Sequence, residues 1–206
     1  TAPSGLAAIS TTLLSVTKAG DHVLVCDNVY RPSRNFSNGV LARYGVETTY
    51  FDPQIGTAIE KLFRPNTKAV LVEAPGSQSF EMPDISAIAE VAHARGALVI
   101  DDNTWATPLF HRSLDLGVDI SMQAATKYIG GHSDIMFGTI SANATAWPMV
   151  AETIRLLGVC AGPDDVFLAL RGTRTLAVRL AQHHRSGLEM ARWLAARPEV
   201  ARVLHP

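Results

Sequence analysis

With 206 residues, 47% hydrophobic and 18% charged, the chain can bury one sizeable core, as a single large domain or a domain with an appendage. A net charge of -1 offers no broad electrostatic attraction to nucleic acid or an anionic membrane. No apolar run reaches transmembrane length and no signal-peptide pattern opens the chain, while Cys26 and Cys160 form neither a disulfide framework nor a metal spacing. A reducing, cytoplasmic setting is expected. The first residue is Thr1 rather than Met, and organised sequence begins at once, so a piece of a longer protein is expected.

The elements are expected as follows. After the turn-prone TAPSG, apolar Leu6, Ile9, Leu13 and Val16 repeat at helical spacing, and Gly20 stops the run. A glycine entering a helix lets backbone N–H groups approach an anion, so the amides of Gly5 and Leu6 are candidates for holding a phosphate. An ordinary Ser4 N-cap accounts for the same residues. His22 to Cys26 is a strand, followed by a loop carrying Tyr30 and a helix over roughly Ser33 to Tyr44. Tyr30 at a strand end can stack on a flat ring, or simply cover the sheet edge. Val46 to Phe51 is the next strand and Gly56 to Phe63 a short helix. The apolar run Ala69 to Val72 then ends in the loop Glu73-Ala74-Pro75-Gly76-Ser77. A helix from Pro83-Asp84 to about Arg95 is stopped by Gly96.

Ala97 to Asp102 is a buried strand ending in carboxylates, and Val118 to Met122 a second one running into a polar turn with Thr126 and Lys127. Ile135 to Ala142 reads as a strand and Trp147 to Leu157 as a helix. A helix from about Asp164 is interrupted at Arg171 to Arg174, a long one covers Thr175 to Ala196, and Ala201 to Leu204 is a short strand. Repeated strand–helix alternation predicts an α/β fold: three layers around a mostly parallel central sheet.

In such sheets ligands sit outside the carboxyl ends of the strands. Lys127 is therefore a candidate Schiff-base lysine, able to hold a carbonyl compound or pyridoxal 5'-phosphate, PLP. That cofactor needs a lysine for its aldehyde, an acid facing its ring nitrogen, a ring on its face, and amides and hydroxyls for its phosphate. Lys127, Asp102, Tyr30, and Gly5 and Leu6 with Thr126 supply these types at strand ends or a helix start. A buried Asp about 4 Å from the ring nitrogen is worth roughly 4 kcal/mol at an effective dielectric near 20, or about 3 pKa units toward the protonated ring before desolvation. Strand alternation sends Asp101 to the opposite side. His132 and Asp134 lack a third metal ligand and read as a structural turn, and no metal is expected. His183 and His184 lie among Arg179, Arg185 and Arg192 on a solvated basic face. Composition alone would also make Lys127 a surface lysine.

The stretches SGLAAI, GDHVLV, the Tyr30 to Ser33 pattern, FDPQIG, EAPGS, DNTWA, QAATKYIGGHSD, RGTRTLAVRLAQHH and VARVLHP together resemble the Cys/Met-metabolism family of PLP enzymes (fold type I), over essentially the whole chain. The resemblance implies the large domain of an aspartate aminotransferase-like PLP-dependent transferase fold over residues 1–196. Residues 197–206 would begin a smaller C-terminal domain. It implies the Schiff base on Lys127, the pyridinium partner at Asp102, Tyr30 stacked on the ring and near the substrate, and the phosphate on Gly5, Leu6 and Thr126. It implies a carbon–sulfur lyase of methionine biosynthesis, with β-elimination of L-cystathionine to homocysteine, pyruvate and ammonia. The alternatives are a γ-lyase, a γ-synthase or a catalytically silent core. A small sulfur amino acid as substrate and a homotetramer of paired subunits are implied, with no nucleic-acid or membrane partner. Two positions depart from the broad family pattern: Ala124 stands where Ser is common before Thr-Lys, and Ser77 where many relatives have Asn beside the cofactor's phenolic oxygen. Both resemble the β-eliminating branch. Family members also carry an N-terminal segment reaching the neighbouring subunit, and a C-terminal domain supplying an arginine for the substrate carboxylate.

Overall fold

The computed structural model describes residues Thr1–Pro206. Strands β1 (His22–Cys26), β2 (Glu47–Phe51), β3 (Thr67–Glu73), β4 (Leu98–Asp102), β5 (Ile120–Gln123) and β6 (Thr139–Ala142) form one sheet in the order β2-β1-β3-β4-β5-β6. The first five run parallel; β6 is antiparallel to β5. All five positions of β1 and all four of β5 are buried. Both faces of a parallel sheet must be covered, and near-continuous apolar strands such as HVLVC are the consequence.

The covering helices are α1 (Gly5–Val16), α2 (Arg31–Phe36, continued by a π-helical turn over Ser37–Leu41), α3 (Ile85–Ala94), α4 (Thr107–Phe110), α5 (Trp147–Leu157), α6 (Pro163–Thr173) and α7 (Leu176–Ala195). Helix α1 lies across β3 to β6 and packs on α5, while α3 packs on β3, β4 and the 3-10 turn Gly56–Leu62. Ile9, Leu13, Leu24, Leu71, Ile88, Ile100 and Met122 are fully buried in the main core. The expected three-layer α/β architecture is what the chain adopts.

Two expected strands are corrected. The last sheet strand begins at Thr139 rather than Ile135, because the backbone before it is used elsewhere. Phe137 bonds to Thr126, and Gly138 pairs with Ala2. Ile135 and Phe137 instead close a small second core with Ala125 and Ala169. Ala201 to Leu204 forms no strand; it is mostly exposed and pairs with no strand of the sheet.

Candidate active site

The carboxyl ends of β1, β3, β4 and β5 carry the chemistry. Strand order reverses between β1 and β3, the switch point at which open α/β sheets bind ligands. Glu73 ends β3 and Asp102 ends β4, and the two are register partners on neighbouring strands. Asp102 in turn sits opposite Met122 of β5.

Asp102 is 8% exposed and makes no ion pair. Oδ1 accepts the N–H and the hydroxyl of Thr104; Oδ2 accepts nothing. Burial pushes its pKa up to about 6, against the pull of the Thr104 bonds. Glu73 is pushed up to about 8, first by burial and then by the Asp102 charge. Its Oε2 accepts the Tyr30 N–H at 2.7 Å, and its Oε1 meets the Ser77 hydroxyl. Tyr30, at the N-cap of α2, is thereby tied to the end of β3, and the residue is 46% exposed.

The turn after β5 is held from several sides. The Ala124 N–H donates to Thr104 Oγ1 at 2.7 Å, so the Asp102 cap also anchors the start of the lysine turn. The Lys127 N–H closes back on the Ala124 carbonyl at 2.9 Å, and the Gly131 N–H on the Lys127 carbonyl at 2.8 Å. The Lys127 side chain is exposed and makes no hydrogen bond or ion pair. Thr126 Oγ1 accepts the Phe137 N–H at 2.9 Å and donates to the Phe137 carbonyl at 3.2 Å, so its proton is engaged with backbone.

Helix α1 points its N-terminus at the same turn. Ser4 is the N-cap, its Oγ accepting from the Ala7 N–H at 3.0 Å. The Gly5 and Leu6 N–H groups, first in the helix, find no backbone or side-chain acceptor. The Ser4 cap and a free pair of amides therefore coexist. A Cβ on Gly5 would run into the Ala124 Cβ and lie 2.8 Å from its Cα, so only glycine lets the helix end come this close.

Asp101 takes the opposite side. It accepts from Ser113 Oγ, and His111 Nε2 lies 3.4 Å from its Oδ2. A cavity of about 250 Å³ on that side is lined by Asn103, His111, Ser113, Ser121, Gln123 and Ser141 among others. It does not include Asp102 or Lys127.

Three participants escape a sequence reading. Glu73 carries the same signal as Asp102, a carboxylate closing an apolar strand, but sits in a run that reads as loop. Thr104 and its bond to Ala124 become visible only in three dimensions. Arg179 reads as part of a solvated basic face, yet it donates to the carbonyls of Tyr128 (2.7 Å) and Gly172 (2.8 Å), clamping the lysine turn to the α6–α7 junction. A Cβ on Gly172 would fall 2.7 Å from the Gly130 carbonyl oxygen, so that junction also needs glycine. His132 turns back onto the Gly130 carbonyl at 2.9 Å, and Asp134 lies 3.7 Å from Arg171, as expected of a structural turn. No cluster of three His, Cys, Asp or Glu side chains has metal-binding geometry.

The donor set suits PLP: an amine without a partner, a buried acid with a vacant oxygen and no cation, and two unpaired amides at a glycine cradle. Comparison with known proteins agrees. Cystathionine beta-lyase of Escherichia coli is 46% identical over 208 residues, covering 99% of this chain and 52% of that protein. Cystathionine beta-lyase of Salmonella typhimurium is 44% identical, with coverage of 99% and 52%. The crystal structure of cystathionine gamma-lyase from Lactobacillus plantarum, complexed with L-serine, superposes with a TM-score of 0.95 at 34% identity. It covers 98% of this chain and 53% of that one. The chain thus spans about half the length of the relatives it matches. Residues 1–206 match the family described as Cys/Met metabolism PLP-dependent enzyme, and the chain belongs to that family.

Proposed function

We propose that the protein is a PLP-dependent carbon–sulfur lyase that cleaves L-cystathionine by β-elimination to homocysteine, pyruvate and ammonia. The observation that carries this reading is the tie from Asp102 through Thr104 to Ala124, which sets a cation-free acid beside the turn of an unpaired lysine. The β-cleavage itself is supported by relatives at 46% and 44% identity that bear the name cystathionine beta-lyase.

When bound, PLP supplies an electron sink for the carbanion formed at the substrate Cα. Lys127 would hold the cofactor's aldehyde through Nζ. Asp102 would face the ring nitrogen with Oδ2; with its pKa near 6 it is mostly charged at neutral pH, and a cationic ring would lower it further. The amides of Gly5 and Leu6 hold the phosphate at the α1 N-terminus. Thr126 joins them if its hydroxyl turns from the long bond to Phe137. Tyr30 would offer its ring to the cofactor's face and its hydroxyl to the substrate side. Lys127, as the free amine, takes the α-proton and returns a proton to the leaving sulfur. The C–S bond breaks, and water then converts the released enamine to pyruvate and ammonia.

The substrate side calls for a small sulfur amino acid, and residues 1–196 are the cofactor-binding domain of this reading. A homotetramer of paired subunits fits the apolar side chains left open on α5 to α7, among them Leu156, Phe167, Leu170 and Val178. No helix is long and apolar enough to cross a membrane. Product analysis with L-cystathionine tests the reading. Pyruvate with homocysteine supports it; 2-oxobutyrate with cysteine assigns the chain to a γ-lyase instead.

A further inference from the structure

We propose that Asp101 and Ser113, with His111 beside them, are positioning residues for Asp102. The two adjacent acids leave β4 on opposite faces, and each grips one end of the same segment, residues 103–113, which contains α4. Asp102 holds its start and Asp101 its end. The inference rests on the cofactor site proposed above, and no step of that mechanism uses Asp101, His111 or Ser113.

The segment is closed by its own bonds. The Asn103 N–H donates to the Met122 carbonyl at 2.9 Å, and Asn103 Nδ2 to the His111 carbonyl at 2.7 Å, so its ends are fastened to β5 and to each other. At the start, Thr104 gives its N–H and its hydroxyl to Asp102 Oδ1 and accepts the Ala124 N–H. At the end, Ser113 gives its hydroxyl to Asp101 Oδ2. His111 Nε2 lies 3.4 Å from the same oxygen and is the one basic group at ion-pair distance from Asp101. Asp101 is fully buried, and a buried carboxylate is tolerated only with such partners.

Beneath the segment there is little packing to hold it. The cavity of about 250 Å³ lies between its underside, at Asn103, His111 and Ser113, and the polar side chains Ser121, Gln123 and Ser141 of β5 and β6. Directed bonds to Asp101, rather than apolar contact, therefore set where the end of the segment sits. Its middle is held against its own preference. Thr107 is fully buried with φ of 58°, a left-handed conformation that a β-branched residue keeps only when its surroundings impose it. Anchorage at both ends imposes it. Releasing the Asp101 end lets Thr107 relax, and the movement reaches Thr104, three residues away, which seats Asp102 and the start of the lysine turn.

Amide hydrogen exchange and cofactor titration of Ser113 variants test this together. Ser113→Ala removes the donor to Asp101; Ser113→Thr keeps it, with the cavity alongside to take the added methyl. In the cofactor-free Ser113→Ala protein, exchange of the Thr104 and Ala124 amides should quicken about tenfold, as expected for loss of a hydrogen bond to a charged group. The Phe137 amide, which is bonded to Thr126, should keep the parent rate. PLP should bind Ser113→Ala on the order of tenfold more weakly, and Ser113→Thr within about threefold of the parent. Unchanged exchange at Thr104 and Ala124 overturns the proposal. So does an equal rise at all three amides, which would mark general loosening, and so does a Thr variant as impaired as the Ala variant. If Ser113→Ala does not fold, Ser113→Cys, a weaker donor, should fall between the other variants and the parent on the same readouts, and a parent-like result there overturns the proposal. The exchange arm needs no cofactor, so attachment of PLP to a lysine other than Lys127 would sink the proposed function and leave the exchange result standing.

Discussion

Gly5→Ala tests how closely the phosphate end of the site is built. The new Cβ would lie 2.8 Å from the Ala124 Cα, where carbon contacts settle near 3.5–4.0 Å, so helix or turn must move by about 1 Å. Overpacking of this kind costs about 1–3 kcal/mol. The helix propensity gained by replacing glycine is at most about 1 kcal/mol, and less at the first helical position, so the clash wins. A net loss of about 1–2 kcal/mol is expected, which lowers the melting temperature of a chain this size by roughly 2–8 °C. The same movement would carry the Gly5 and Leu6 amides away from their proposed phosphate position and strain the Ala124–Thr104 bond that seats Asp102. PLP affinity should fall on the order of tenfold, as expected for a disturbed charged hydrogen bond. Ala124→Gly removes the Cβ contact but leaves the Cα at 2.8 Å, so a double-mutant cycle should show partial relief, about 1 kcal/mol of favourable coupling in melting experiments. A Gly5→Ala protein that melts like the parent, with effects that simply add to those of Ala124→Gly, would refute the packing argument.

The two buried acids predict a pH-dependent stability for the cofactor-free protein. Their pKa values are raised on folding, to about 6 for Asp102 and about 8 for Glu73, so the folded chain binds more protons than the unfolded one. That contribution is complete below about pH 4 and is lost as pH rises through 6 and then 8. The melting temperature should decline across that window, and Glu73→Gln should flatten its upper half; a flat profile in the parent would contradict the pairing. Arg179→Ala removes charged donors from the Tyr128 and Gly172 carbonyls and should cost about 2–3 kcal/mol in denaturant unfolding, with faster hydrogen exchange in residues 128–131. Unchanged exchange there would return Arg179 to the solvated face.

The parts of the fold governed by period and local caps were legible in the sequence. His22 to Cys26 is apolar at nearly every position because both of its faces are covered, and the two-residue alternation separates Asp101 from Asp102. Ser4 and Asp84 cap helices whose starts their spacing announced. What stayed hidden depends on contacts distant in sequence. Ile135 to Gly138 has a strand's composition, but its backbone is taken by Thr126 and Ala2, and nothing local signals that. Arg179 looks like its exposed neighbours until the carbonyls of the lysine turn, some 50 residues earlier, are brought beneath it. Glu73 is ordinary in a loop and becomes unusual only when β4 sets a second carboxylate alongside.

The lysine assignment is tested most directly by loading the protein with PLP, reducing with borohydride, digesting, and locating the pyridoxyl group by mass spectrometry. The account predicts the label on Lys127, and no label in Lys127→Ala. A label on Lys18, Lys61 or Lys68, or one that persists in the Lys127→Ala protein, would contradict it.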